Sequence, residues 1–199
     1  YSAVIDEYSE QNIFSNNVLQ ESGDVALFLF RARRNIVSNN VIRSVSSAAI
    51  ALDDDSSLNT VTGNFIQEAG NTGIKLSDAS NRNIITNNNI NTCAQWGISC
   101  EVGQSSSAPA NLFIGNRVEN AGYGGIGLYD AYQSIVKDNL LYRNGGSGIY
   151  CSGYVDFSQI TGNHCVENSQ LSVENAGIRL VTVTNITLAN NYCFDAQGL

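Results

Sequence analysis

Apolar and polar positions along this chain recur in one repeated phrase. An apolar residue stands three places before a landmark asparagine, and another stands two places after it. The asparagines are Asn17, Asn40, Asn64, Asn88, Asn116, Asn139, Asn163 and Asn191, spaced 23, 24, 24, 28, 23, 24 and 28 residues apart. Before them come Phe14, Val37, Val61, Ile85, Phe113, Val136, Ile160 and Leu188; after them come Leu19, Ile42, Ile66, Ile90, Val118, Leu141, Cys165 and Cys193. A second segment of each phrase reads apolar, exposed, apolar: Val25/Leu27, Ile50/Leu52, Ile74/Leu76, Ile98/Cys100, Ile126/Leu128, Ile149/Cys151 and Ile178/Leu180. That alternation predicts a half-buried strand. A period in the twenties marks a solenoid, in which each repeat buries its apolar face only by stacking on its neighbours.

The asparagine amid apolar residues is the polar exception. Its amide can bend the chain and then bond its equivalents in the coils above and below. Two solenoids carry such ladders. A leucine-rich repeat also wants leucine five places before the asparagine and a helical or apolar return segment. Here Asn12, Asn35, Asn59, Asn83 and Asn111 hold that place, and a glycine-flanked strand intervenes. A parallel β-helix accommodates both departures. The expected fold is therefore all-β, a solenoid of about eight coils with an internal Asn ladder, on the order of 38 Å long from the strand spacing.

The phrases NIVSNNVI, NTVTGNFI, NIITNNNI and GSGIYC resemble the repeats of right-handed parallel β-helix proteins of the pectate-lyase-like superfamily. That group includes pectinolytic enzymes, alginate epimerases and lyases, phage tailspikes and copper-accessory surface proteins. The resemblance spans essentially the whole chain and implies the scaffold; it does not carry a reaction with it.

The solenoid leaves room for one domain, residues 1–199. Methionine is absent even at position 1, Ala3 and Ile5 align with the second strand, and the chain stops after Cys193 before the next such strand. These features predict a segment of a longer chain, its ends covered by flanking domains or by assembly such as a homotrimer. Net charge is −8 with only 10 Lys and Arg, which excludes nucleic acid and anionic membrane as partners. No apolar run approaches a membrane span, and none reads as a signal peptide. The location expected is extracellular, at a cell surface or on a virion.

Several local features need placing. Leu27, Phe28, Leu29 and Phe30 are apolar on both strand faces, which predicts a covered patch or a surface feature without a role. Residues 102–110 and 167–175 are insertions, candidate specificity loops or tolerated surface growth. Gly122, Gly124 and Gly127 match a dinucleotide fingerprint, but the segment enters a repeat strand rather than a helix and reads as a turn. Asn185 begins a formal glycosylation sequon. His164 is the sole histidine; with no partner for a zinc or copper site, it argues against the copper-accessory group. Of the five cysteines, Cys165 and Cys193 fall in one inward column of adjacent coils, within disulfide range by their Cα spacing. The readings are free core thiols, a Cys165 to Cys193 bridge, or a Cys93 to Cys100 bridge.

Stacking the outward positions of the second strand gathers Asp53, Lys75, Glu101, Tyr129, Tyr150 and Arg179 on one side of the rod, with Asp54, Asp78 and Asp130 at the adjoining turn. Aromatic rings beside carboxylates in a line suit an extended sugar chain. Asp53 and Glu101, two coils apart, should lie about 9.6 Å from one another at the backbone, near the upper end of the separation used by inverting glycosidases. Asp54 and Asp78, one coil apart, suit a retaining separation or a calcium site. The candidate catalytic residues are thus Asp53, Glu101, Asp54 and Asp78, with Lys75, Tyr129, Asp130, Tyr150 and Arg179 binding substrate. Exposed turn aspartates also simply cap backbone N–H groups. No metal ligand set and no cofactor are expected beyond calcium. The partner expected from this face is a polysaccharide. The alginate-epimerase motif Asp-Pro-His-Glu is missing, and Asp53 and Asp54 lack the Gly-His-Gly and Arg-x-Lys companions seen in polygalacturonases. The acid-rich face favours a glycoside hydrolase of tailspike type over a uronate lyase or epimerase. A non-catalytic rod or adhesin segment is the competing class.

Overall fold

The computed structural model describes residues 1–103, 110–171 and 176–194. Three sheets of eight parallel strands run the length of the chain, each strand pairing with its equivalents in the coils before and after. Sheet I starts at Ala3–Ile5 and continues through Leu27–Phe30, Ile50–Asp53, Ile74–Ser77, Trp96–Glu101, Gly124–Tyr129, Ile149–Ser152 and Ile178–Val181. Sheet II runs from Ile13–Ser15 to Thr187–Ala189, and sheet III from Val18–Gln20 to Tyr192–Phe194. The landmark asparagine sits at the corner between sheets II and III.

The inward columns form one continuous core. Val37, Val61, Ile85, Phe113, Val136 and Ile160 come from sheet II, and Ile42, Ile66, Ile90, Val118, Leu141 and Cys165 from sheet III; all are buried. In the second coil of sheet I the inward pair is Leu27 and Leu29, not Val25 and Leu27. The run of four apolar residues satisfies either register, and pairing with Ile50 and Leu52 selects the later one. Phe28 and Phe30 therefore face outward. Tyr1 stacks on Phe28 at 4.9 Å, and the Arg31 guanidinium lies over Phe30.

The corners hold more polar structure than the sequence pattern showed. Asn88 Oδ1 accepts from both the backbone N–H and the side-chain amide of Asn64 at 3.0 Å. Its own amide donates to Asn116 Oδ1 and to the Val61 carbonyl, also at 3.0 Å. The same bonds link Asn17 through Asn191. A second ladder joins Asn12, Asn35, Asn59, Asn83 and Asn111 at the corner before sheet II, and a shorter third joins Asn144 to Asn168. These side chains satisfy buried backbone donors that no strand reaches.

Each landmark asparagine follows a residue in the left-handed region: Asn16, Asn39, Gly63, Asn87, Gly115, Asp138, Gly162 and Asn190. Asn, Asp and Gly are the residues that enter this region most cheaply. A Cβ on Gly63 would lie 2.5 Å from Asn39 Oδ1, and one on Gly115 2.6 Å from Asn87 Oδ1. The asparagine side chain of one coil thus fills the space that glycine leaves in the next.

The insertions expected at 102–110 and 167–175 fall partly outside the described residues, at 104–109 and 172–175. The ladder passes both without a break, from Asn88 to Asn116 and from Asn163 to Asn191.

Replacing Asn88 with Ala leaves the Asn64 N–H, the Val61 carbonyl and one amide of the stack without their partner. Each such buried group costs about 1–3 kcal/mol, so Asn88→Ala should lower unfolding free energy by at least about 3 kcal/mol in a denaturant titration. Asn89→Ala, at an exposed position of the same coil, should change it by less than about 0.5 kcal/mol.

Candidate functional site

The outer face of sheet I carries the predicted residues in one register. Phe28, Ala51, Lys75, Ser99, Gly127, Tyr150 and Arg179 succeed one another across seven strands. Beside them Ser77, Glu101, Tyr129 and Ser152 form the next column, and Asp53 joins it by accepting the Ser77 hydroxyl at 2.9 Å. Ser77, not Lys75, therefore stands between Asp53 and Glu101; Lys75 flanks them one column away.

At the turn beyond the strand, Asp54, Asp78 and Asp130 share the left-handed conformation with φ of 47°, 44° and 50°. Their side chains take different partners. Asp54 is held by Arg31 through Nη2 at 2.6 Å and Nε at 2.7 Å. Asp130 accepts the Tyr154 backbone N–H at 2.9 Å. Asp78 hydrogen-bonds to Asp53, and this bond raises its carboxyl above the ordinary aspartate range; partial burial and the Asp53 charge add to the effect, and Lys75 opposes it. The close acid pair on this face is thus Asp53 with Asp78. The expected pairing of Asp54 with Asp78 gives way because Arg31 draws Asp54 aside.

Aromatic side chains occupy the face one coil further along. Trp96, Tyr129 and Tyr150 form a triangle with centroids 6.1, 6.0 and 5.5 Å apart, and the Arg179 guanidinium lies 5.9 Å above the Tyr150 ring. Trp96 was not among the residues expected from the sequence. The strand reverses its alternation at Gly97, which points inward against Val118, so Trp96 is delivered to the outside. The indole then lies on the next coil over Gly124 and Gly127, where an added Cβ would meet its ring at 2.3 and 2.9 Å. Two glycines opposite a lone tryptophan were the available signal.

Burial pushes the Tyr129 hydroxyl up to about 12, with smaller contributions from Tyr150 and Glu101. It is a proton donor at neutral pH and not a base. Glu101, Gly103, Tyr129 and Asp130 line an open hollow of about 430 Å³. Ser99 Oγ, buried on this face, has no hydrogen-bond partner among the described residues, and neither Lys75 nor Arg179 enters an ion pair there. His164 lies on the outside of sheet III with its ring 5.7 Å from that of Tyr192, away from these groups. Among the described residues no group of three or more His, Cys, Asp or Glu is placed to hold a metal ion.

A three-sheet parallel solenoid of this kind defines a parallel β-helix protein, here with an acid and aromatic strip along one sheet. The periplasmic alginate epimerase AlgG has a similar structure, with a TM-score of 0.76 at 16% identity over 92% of this chain and 46% of that one. The Azotobacter vinelandii mannuronan C-5 epimerase AlgE6 A-module aligns with a TM-score of 0.66 at 16% identity over 95% of this chain and 66% of that one. At these identities the likeness is one of fold, and the chain spans about half the length of AlgG. The right-handed β-helix region family matches residues 102–198. The family described as periplasmic copper-binding protein (NosD) matches residues 1–121, and the chain belongs to that family. Its single histidine had argued against the copper-accessory group; membership does not turn on imidazole. No curated protein shows a significant sequence match.

The raised Asp78 carboxyl makes a signed prediction. A group that binds its proton more tightly when folded loses stability as pH rises from the unfolded value, near 3.9, through the raised folded value. Asp78→Asn should therefore unfold at higher denaturant than the parent at pH 7. The gap should close as pH is lowered below the ordinary carboxylate range.

Proposed function

We propose that the outer face of sheet I binds an extended polysaccharide and that its acid groups cleave it. The observation that carries this reading is the close pair of carboxyls, Asp53 and Asp78, on the same face as the Trp96, Tyr129 and Tyr150 shelf. Indole and phenol rings offer flat apolar surface with a polar edge, which suits the face of a pyranose ring. Asp78, whose carboxyl is raised by its hydrogen bond to Asp53, is the acid for the glycosidic oxygen. Glu101, on the coil after Asp78 and two coils from Asp53, is the second carboxylate, and the separation of its carboxyl from that of Asp78 decides between inverting and retaining hydrolysis. Lys75 supplies hydrogen bonds to sugar hydroxyls.

A second reading is favoured by the structural likeness to alginate epimerases. Proton transfer at C5 of a uronate needs a base, an acid on the other side and a cation for the carboxylate. Glu101 and Tyr129 face each other across one strand spacing in the hollow they line, and Tyr129 keeps its proton. Lys75 or Arg179 would hold the carboxylate. In either reading the protein works in the periplasm or outside the cell, as the family description suggests.

Incubation with neutral glycans and with polymannuronate in D2O separates the readings. New reducing ends denote hydrolysis, absorbance of an unsaturated sugar denotes elimination, and deuterium at C5 without cleavage denotes epimerisation. Hydrolysis should fall by about 10²-fold or more in Asp78→Asn and Glu101→Gln, the usual contribution of a general acid or base. Full activity in both variants overturns the assignment. Absence of binding and turnover on every glycan returns the rod to a structural role.

A further inference from the structure

We propose that Cys165 and Cys193 join as a disulfide that clasps the coil of strand His164–Val166 to the coil of strand Tyr192–Phe194. The inference is separate from the carbohydrate face and does not depend on that reading. The two strands pair in parallel, with the cysteines directly opposite each other. Both stand in the inward column that holds Ile90, Val118 and Leu141 in earlier coils. All five cysteines are free thiols in this structure, and only this pair is opposed in the ladder. Cys93 faces Ala69 and Ala121, Cys100 faces Leu76 and Leu128, and Cys151 faces Leu128 and Leu180.

Distance and room both allow the bond. Opposed residues on neighbouring parallel strands have Cα atoms about 4.8 Å apart, inside the Cα window of about 4.4–6.8 Å that disulfides occupy. The thiols are already in contact, with the Cys165 S–H donating to the Cys193 sulfur. Covalent distance is reached by rotation about the Cα–Cβ bonds and a small approach of a strand whose three residues are all exposed. Glycines leave space for that rotation. A Cβ on Gly177 would lie 2.7 Å from Cys193 Sγ, and one on Gly148 2.9 Å from Cys165 Sγ. A hollow of about 240 Å³, lined by both cysteines, opens beside them.

The pair also divides the chemistry. The hydrogen bond from Cys165 lowers the Cys193 thiol to about 7, with burial opposing it. The same bond, with burial, raises Cys165. Burial pushes Cys93, Cys100 and Cys151 up to about 12, so they keep their protons. Cys193, exposed and more readily ionised, is the attacking sulfur. Its thiolate attacks one sulfur of a small-molecule disulfide such as oxidised glutathione, forming a mixed disulfide and expelling one thiolate. Cys165 then gives up its proton and attacks Cys193 Sγ, expelling the second. Two cysteine thiols are oxidised, the oxidant is reduced to two thiols, and the two protons end on them. The bond closes 28 residues of chain, so opening of the two coils away from each other is restrained. Such bonds persist in oxidising compartments, the bacterial periplasm among them.

Reduced protein is incubated with oxidised glutathione, quenched with acid and digested with trypsin in the absence of reductant. Cleavage at Arg143 and Arg179 puts Cys165 and Cys193 on different peptides. Mass spectrometry of the parent should show these two peptides joined, with fragmentation placing the link at Cys165 rather than Cys151. In the oxidised parent the Glu167 and Tyr192 amides, which bond the Phe194 and Asn163 carbonyls of the opposite coil, should exchange about a hundredfold more slowly, the order expected from closing a loop of this length. Reduction should restore the original rates. Cys151→Ser should form the same link, and Cys165→Ser should stop at the glutathione adduct on Cys193. A glutathione adduct that persists on Cys193 of the parent, a link to any other cysteine, or unchanged exchange after oxidation overturns the clasp.

Discussion

The carboxamide of a buried asparagine does two tasks in this fold. Its oxygen accepts the backbone N–H of the coil before, and its nitrogen reaches the asparagine of the coil after. A corner of the solenoid is a place where the backbone leaves the strand ladder inside a dry core, and an N–H without a partner there is costly. Because the bond is made to the equivalent atom of the neighbouring coil, it ties residue to residue along the rod. A coil that gains residues must therefore eject them between ladder positions. In both lengthened repeats the ladder keeps its register, with Asn83 to Asn111 and Asn163 to Asn191 bonded across 28 residues.

That register lets the outer face of sheet I act as one surface. Its side chains come from segments more than a hundred residues apart, yet Phe28, Ser99 and Arg179 lie in one column. The chemistry along the column changes in blocks. Phenylalanines stand at one end, the acids Asp53, Asp78 and Glu101 in the middle, and the indole, the tyrosines and Arg179 beyond. An extended polymer lying along the strip would meet these blocks in turn. A parallel ladder of this kind presents its outward side chains at a fixed spacing from coil to coil.

Much of the fold was legible because solenoid columns repeat. The landmark asparagines, both core columns and the strand of sheet I were visible as periodic residues. The asparagines from Asn12 to Asn111 were visible too, but only as a departure from leucine-rich repeats; that they bond one another requires knowing that a corner lies there. The alternation of Gly with Asn or Asp before each ladder asparagine went unread, since its cause is contact between coils. At the site, the columns containing Asp53, Glu101 and the tyrosines followed from strand parity. Parity stops at the turn, where φ is positive, and so the partnership of Asp53 with Asp78 and the diversion of Asp54 to Arg31 could not be counted out from spacing. Trp96 escaped for the same reason, because Gly97 breaks the alternation one residue later.

The ladder claim is tested most directly by native-state amide hydrogen exchange, read residue by residue. The backbone N–H groups of Asn40, Asn64, Asn88, Asn116 and Asn139, which donate to side chains rather than to strands, should exchange as slowly as those of the core strands Ile74–Ser77 and Ile149–Ser152. Exchange of these amides at the rate of exposed turns, while the strands stay protected, would contradict the account.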